Sequence, residues 1–347
     1  MSETKAVIQA RMLSNIIDVY DKTKGSFIYD VEEPVAIELE TMSAKVDEIL
    51  NDGFADTSTS SYLDRIVYEQ GLSRKSATKA TGTVTVTGVV GAAVTKGELV
   101  ASDNVNFAVA ADAVIPEALT IDVSVECESY GTVGNVPVGA IKYFPKTLEG
   151  LQTVNNSVAF TNGYDAETDE SLRQRYYDKV RTPATSGNKY HYLNWAKSVT
   201  GVGDARVVPL WDGNGTVKVI IINSNKRAAD STLIDSVVAY IEDNRPIGAT
   251  VTVISATEKA IDVSVTLTID TSNYTQAQIK EAIETNITNY LKSIAFVETY
   301  VSYAKIGGIV LDTAGVIDYS NLLVNSGPAN ISIADTEIAA LGGATVG

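Results

Sequence analysis

Apolar residues along this chain change their spacing several times, and each change marks a different kind of element. Up to about residue 75 the spacing is helical. In the second helical segment Val35, Leu39, Met42, Val46 and Ile49 recur at intervals of four and three, which places all five on one helix face, as in two heptads of a coiled coil. A seam of this kind needs a partner helix. Leu63, Ile66 and Val67, beyond the polar turn Ala-Asp-Thr-Ser-Thr-Ser-Ser at 55–61, form a stripe that would supply one from within the chain; the alternative is a helix of another subunit.

At Thr81 the period falls to two. Thr-Gly-Thr-Val-Thr-Val-Thr-Gly alternates β-branched residues, and short runs such as Asn106–Ala110 and Thr120–Glu126 follow, separated by Gly, Pro and Asn turn signals. A β-rich domain over 81–163 is predicted.

A helical period returns after residue 163. Acids at Asp165, Glu167, Asp169 and Glu170 precede Leu172, Tyr176 and Val180, while Arg173, Arg175, Lys179 and Arg181 come later, a charge order that suits the helix dipole. Pro183 should end this helix, and Ser186-Gly187 should open another through Val199 with Leu193 and Ala196 inward. Two strands, 205–210 and 215–222, should form a hairpin over Trp211-Asp-Gly-Asn-Gly. A helix carrying Leu233, Val237, Tyr240 and Ile241 and the strand Thr250–Ile254 complete this unit.

In the last part Ile261, Val263, Val265, Leu267 and Ile269 alternate strictly with polar residues, as on a half-buried strand. Thr275 and Gln278 have capping-box spacing ahead of Ile279, Ile283, Ile287 and Leu291. Tyr303, Ile306 and Val310 predict one more helix, and Asp318–Asn325 with Ala329–Ala334 predict a closing hairpin. Gly-Val-x-Asp occurs at 201–204 and again at 315–318, each time between a helix and an apolar strand, which makes two tandem α/β modules the economical reading. The expected fold is therefore α+β and multidomain: an N-terminal helical segment over 1–80, the β-rich domain over 81–163, then α/β sandwich modules over 164–256 and 257–347.

Composition narrows the function. With 43 acidic against 27 basic residues the formal charge is −16, a field that repels phosphate backbones, so nucleic acid is not an expected partner. No apolar run is long enough to span a bilayer, and the N-terminal stretch carries no secretory core, so synthesis in the cytoplasm is expected. Cys127 and His191 are the single cysteine and the single histidine. Two such ligands cannot build a structural zinc site, and triad chemistry would have to run through one imidazole. Phosphate-loop, nucleophile-elbow and calcium-loop motifs are all missing, so neither a cofactor nor a catalytic residue is expected. The cluster Glu167, Asp169, Glu170, Arg173, Arg175 reads either as a docking surface or as i,i+3 and i,i+4 pairs that stabilise an exposed helix.

Several stretches, taken in order, resemble the baseplate J-like family of contractile phage tails and phage-derived injection machines. They include Glu-Pro-Val-Ala-Ile-Glu-Leu-Glu-Thr-Met from residue 33, Glu-Ser-Tyr-Gly-Thr-Val-Gly-Asn-Val-Pro from 128, Asn-Gly-Tyr-Asp-Ala-Glu-Thr-Asp-Glu-Ser-Leu from 162, and Gly-Val-Gly-Asp-Ala-Arg-Val-Val from 201. The likeness runs over roughly 34 to 270, and beyond that it rests on organisation. Asn162 stands where many members carry the first glycine of a pair. The resemblance implies a non-enzymatic wedge subunit, synthesised in the bacterial host cytoplasm and built into a tail baseplate. Its N-terminal helices would bundle with neighbouring wedge proteins, and its C-terminal modules would close a ring that holds and then releases the sheath. Other copies of itself, a tail-fibre-side wedge protein and a sheath-proximal wedge protein would be its partners. Two other classes stay open at this point: a carbohydrate-binding or adhesin-type tail module, and a carboxylate-dependent hydrolase, which would need paired acids about 5 to 9.5 Å apart.

Overall fold

The computed structural model of the chain describes residues 2–182 and 184–347. Pro183, expected to end a helix, lies outside the described residues. The architecture is mixed α and β, with eight α-helices among the described residues. Two compact units are formed: one from the stretch to Arg74 together with Glu167–Val180, the other from Lys75–Ala166 with Arg181–Gly347.

The first unit is helical. It holds α1 (Lys5–Ser14), α2 (Phe27–Asp52), α3 (Ser60–Tyr68) and most of α4 (Asp169–Arg181). Ser26 caps α2 by accepting from the Tyr29 amide, which satisfies one of the orphan donors of the first turn. On α1, Ile8 and Gln9 are buried, and on α2 Ala36 is buried, the small side chain that lets the two helices approach.

In the second unit the chain first forms β1 (Lys79–Gly88), β2 (Ala93–Val94), β3 (Leu99–Ala101), β4 (Asn106–Val109), β5 (Ala113–Val114), β6 (Thr120–Tyr130) and β7 (Leu151–Asn155). Five of these make one antiparallel sheet in the order β3-β4-β6-β1-β7, and β2 pairs with β5. The period of two is realised on β1: Val84 and Val86 are buried in the barrel-like core with Phe107, Val123, Val125 and Phe160, while Thr85 and Thr87 point outward to Asp122 and Thr153. Asn162 uses its amide as a strap, with Oδ1 accepting from the Thr81 amide at 2.8 Å and Nδ2 donating to the Thr81 hydroxyl at 2.9 Å.

Next come α5 (Lys189–Ser198), β8 (Val202–Pro209), β9 (Thr216–Asn223), α6 (Ser231–Asn244) and β10 (Thr250–Ser255). The sheet order is β10-β9-β8, with β9 antiparallel to β8 and parallel to β10. The apolar run Val219–Ile222 is buried throughout because both faces of β9 are covered. Val219 and Ile221 meet the side chains of α5 and α6, whereas Ile220 and Ile222 meet Ala256, Ala295 and Ile338. The expected cap of α5 at Ser186-Gly187 is corrected to Asn188, whose Oδ1 accepts from the amides of Tyr190 and His191. Tyr192, not flagged by the pattern, is the most deeply buried aromatic of that helix.

The last stretch contains β11 (Thr257–Ile269), α7 (Gln276–Ile294), β12 (Tyr300–Val301), α8 (Tyr303–Leu311), β13 (Val316–Val324), β14 (Ile331–Ser332) and β15 (Glu337–Val346). The capping box of α7 is formed as its spacing predicts, with Thr275 and Gln278 exchanging hydrogen bonds. The closing hairpin is not formed. β13 pairs with β11, β14 pairs with β12, and the third sheet runs β13-β11-β15, with β15 parallel to β11.

Both three-stranded sheets thus have a central strand with one antiparallel and one parallel neighbour. The repeated Gly-Val-x-Asp has the same job in each. Gly201 and Gly315 follow a helix at φ of 95° and 90°, and a Cβ at either would meet a tyrosine ring, Tyr164 at 2.8 Å or Tyr274 at 2.7 Å. A single residue, Ala256, joins β10 to β11. Its amide donates to the Ile221 carbonyl, and the next amide, Thr257, donates to Thr336.

Two adjacent glycines in α8 allow a direct test of packing against propensity. A Cβ at Gly307 would lie 2.5 Å from the Tyr319 hydroxyl, whereas Gly308 has nothing within 4 Å. Gly308→Ala is expected to stabilise the protein by up to about 1 kcal/mol, the helix-propensity difference, and Gly307→Ala to gain nothing or lose stability. Thermal denaturation of the two variants side by side checks this.

Candidate functional site

The five seam residues all stand on α2 and all face solvent: Val35 is 48% exposed, Leu39 38%, Met42 61%, Val46 56% and Ile49 68%. At 3.6 residues per turn they fall within an arc of about 80°. Val31, 53% exposed, lengthens the strip, and Leu50, 55% exposed, widens it. α1 lies along a neighbouring face of α2, where the Lys5 amide donates to Glu40 at 2.9 Å, Gln9 donates to the Tyr29 carbonyl at 3.2 Å, and the Lys5 ammonium pairs with Glu33. The stripe considered as an internal partner is engaged elsewhere. Leu63 and Val67 are fully buried with Leu72 and Leu172, in a small core that also takes Ala55 and Tyr176.

The charged cluster is organised differently from the local pairs that the spacing invites. Arg173 directs its guanidinium to backbone carbonyls, Ala55 at 2.6 Å and Ser58 at 2.8 Å. Asp169 accepts from the Ser60 amide at 3.0 Å and from Arg74 at 2.6 Å, and Arg74 also reaches Asp64 and the Glu167 carbonyl. Arg175 and Glu167 form a two-point pair at 2.9 and 2.6 Å, with side chains 10% and 5% exposed, and Arg175 donates again to the Ser73 carbonyl. Glu170 is exposed. Four of the five residues therefore brace α4 against α3 and the segments before and after it, with Arg74 as a member that no spacing rule reveals.

The amide of Ser60, followed by Arg74, holds the Asp169 carboxyl below its ordinary range. Because the folded value is the lower one, its stabilising contribution is present above the unfolded value near 3.9 and is lost as pH falls through the folded value. The stability gap between the parent chain and Asp169→Asn is expected to be largest at neutral pH and to close on acidification, as urea titrations at pH 7 and pH 3 would show.

Elsewhere a polar cleft of about 770 Å³ is lined by Asn135, Asp165, Asn225, Arg227, Glu258 and Lys292, among others. Its two carboxylates are occupied. Asp165 accepts from the Thr132 amide and hydroxyl, and Glu258 accepts from Arg227 and from the Ala228 amide. His191 stacks on Trp195 and accepts the Gly187 amide through Nδ1, and Cys127 is buried. Among the described residues no group of three or more His, Cys, Asp or Glu is placed to hold a metal ion, and no helix is long and apolar enough to cross a membrane.

Comparison with known proteins accounts for most of this chain. Residues 83–163 match the Baseplate J-like protein barrel domain, 184–255 the Baseplate J-like central domain, and 261–347 the Baseplate J-like protein C-terminal domain. The Phage-like element PBSX protein XkdT of Bacillus subtilis (strain 168) is 35% identical over 98% of this chain and 96% of its own length. The baseplate protein gp47 of Escherichia phage Mu is 28% identical over 63% of this chain and 64% of its own. A chain of the anti-feeding prophage baseplate, solved by cryo-EM, aligns over 97% of both chains at 10% identity with a TM-score of 0.38. The matched models and the extent of the Bacillus relative show that this chain belongs to the Baseplate J-like family of phage and tail-like-particle baseplate proteins.

Proposed function

We propose that this protein is a structural, non-enzymatic wedge subunit of a contractile-tail baseplate, which joins its neighbours through the exposed strip of α2. The observation that supports the reading is the strip itself. Seven large apolar side chains on one helix, each between 38% and 68% exposed, are more than a monomer ordinarily leaves to water in one place. The layout read from the sequence belongs to the proposal: a helical region over 1–80 for bundling, a β-rich domain over 81–163, and α/β sandwich modules over 164–256 and 257–347 that link wedges into a ring. Copies of this chain, a tail-fibre-side wedge protein and a sheath-proximal wedge protein are the partners. The ring would hold the extended sheath and release it through a rigid-body rearrangement. Synthesis would take place in the host cytoplasm, before incorporation into the tail. On this reading the cluster around α4 has a structural role, fixing α4 to the chain around α3.

The test is assembly. Leu39→Asp or Val46→Asp introduces a charge into the strip without touching the barrel-like core. Particles carrying either variant should fall at least about tenfold in number by negative-stain microscopy, since a desolvated unpaired charge costs several kcal/mol. Circular dichroism of the purified variant should stay that of the parent. Normal numbers of intact particles would remove the strip from the interface.

A further inference from the structure

The sheet β10-β9-β8 leaves β10 at its margin, with β9 on one side of it. The Thr250 amide donates to Gly215 and the Ala256 amide, just past the strand, to Ile221, so even-numbered positions face β9 and the backbone groups of Val251, Val253 and Ser255 point away from it. Among the described residues nothing bonds to those amides and carbonyls. The outward row is taken up again at once: Thr257, its next member, donates its amide to Thr336, just ahead of β15. β9 and α6 pack on β10, yet Val251–Ser255 all keep partial exposure, whereas Val219–Asn223 of the central strand are buried.

An open sheet edge is a template for pairing with another chain, and proteins blunt such edges with charge, proline, bulges or irregular backbone. β8, at the opposite margin, carries Asp204 and Arg206, has a register shift and ends on Pro209. β13, at a margin of the next sheet, carries Asp318 and holds Asn321 at a φ of 52°. β10 has none of these devices: it reads Thr-Val-Thr-Val-Ile-Ser and stays in register with β9 throughout. Its side chains are committed inward, Val251 and Val253 to the core with α5 and α6, Ile254 to the cluster with Ile220 and Ile222. What is left to recognise is a line of amides and carbonyls, which an extended backbone can meet and a helix cannot. We infer that β10 receives an added strand from another chain, an extended run of about five residues without charge, since a charge set opposite Val253 or Ile254 would find no partner. This rests on the reading of the protein as an assembly subunit, and it adds a backbone-mediated contact separate from the strip on α2.

Hydrogen exchange, read residue by residue, compares the isolated full chain with the same chain in particles purified from producing cells. In the isolated chain the amides of Val251, Val253 and Ser255 should exchange at least about tenfold faster than those of Thr252, Ile254 and Ala256, and in the particle they should slow to match them. Val253→Pro supplies the second arm. It removes an amide that β9 does not use, at an edge position where a strand tolerates proline, and it blocks an incoming strand. It should yield at least about tenfold fewer particles than Val253→Ala, which gives up side-chain contacts but keeps the amide. Outward amides that are already slow in the isolated chain, or still fast in the particle, overturn the inference. So do equal particle numbers from the two variants, which would mean that the edge is covered by something other than a strand. Should Val253→Pro fail to fold, the exchange comparison alone decides. A chain that never enters particles removes the assembly reading itself, and this inference with it.

Discussion

Asn156→Leu is expected to destabilise the barrel-like part by about 2 to 6 kcal/mol, the sum of two backbone groups left without partners at about 1 to 3 kcal/mol each. Asn156 is fully buried. Its Oδ1 accepts the Ile141 amide at 2.9 Å, and its Nδ2 donates to the carbonyls of Pro137 and Val158 at 2.8 and 2.9 Å. One side chain thereby substitutes for a ladder in the irregular segment between β6 and β7. Leucine fills the volume and strands the Ile141 amide and the Val158 carbonyl, while the Pro137 carbonyl keeps the Ala140 amide. Since whole domains are stable by only about 5 to 15 kcal/mol, the variant should lose protection of the 137–158 amides in hydrogen exchange, or fail to accumulate in soluble form. Asn156→Asp keeps the acceptor but sets a buried carboxylate against the two carbonyls, and should lose protection of these amides as well. Protection unchanged in Asn156→Leu would show that the segment is held by something else.

A comparable loss is expected in the helical unit. Arg175→Met removes the guanidinium from Glu167, which is 5% exposed, and breaking one side of a buried pair costs about 3 to 5 kcal/mol. The double variant Arg175→Met with Glu167→Leu should recover much of that loss, because the buried charge is gone as well. Urea denaturation of the two singles and the double gives the coupling directly. Additive effects would mean that the two-point pair contributes no coupling to stability.

Where the amino-acid pattern was local, it read well. The alternation over Ile261–Ile269, the α7 capping box and the Trp211–Gly215 turn each depend on neighbours within a few positions, and each is formed. Partners at long range were not legible. Ala329–Ala334 has the composition of a hairpin arm, yet β14 joins β12, about thirty positions earlier, because strand choice is settled by which edge the fold leaves free. β15 escaped notice for a different reason. Ile338, Ala339 and Ala340 are all buried, and the register slips between Ile261 and Asp262 opposite its Gly342-Gly343, so no alternation survives to be read. In the charged cluster, Glu167 to Arg175 spans eight positions and begins before the helix does, and Arg74 comes from a segment nearly a hundred residues away. Pair rules for an isolated helix do not reach that far.

The one-residue joint at Ala256 has a mechanical meaning. Its amide still belongs to the ladder behind it and the following amide to the partners ahead, so the backbone has no slack between the two sheets. A pull along this line loads the parallel ladders β9–β10 and β11–β15 lengthwise, and strands loaded in shear must let go of many bonds together instead of unzipping one at a time. Under the proposed role in a contractile baseplate, such a segment would act as a tie rod, passing motion on and absorbing almost none of it.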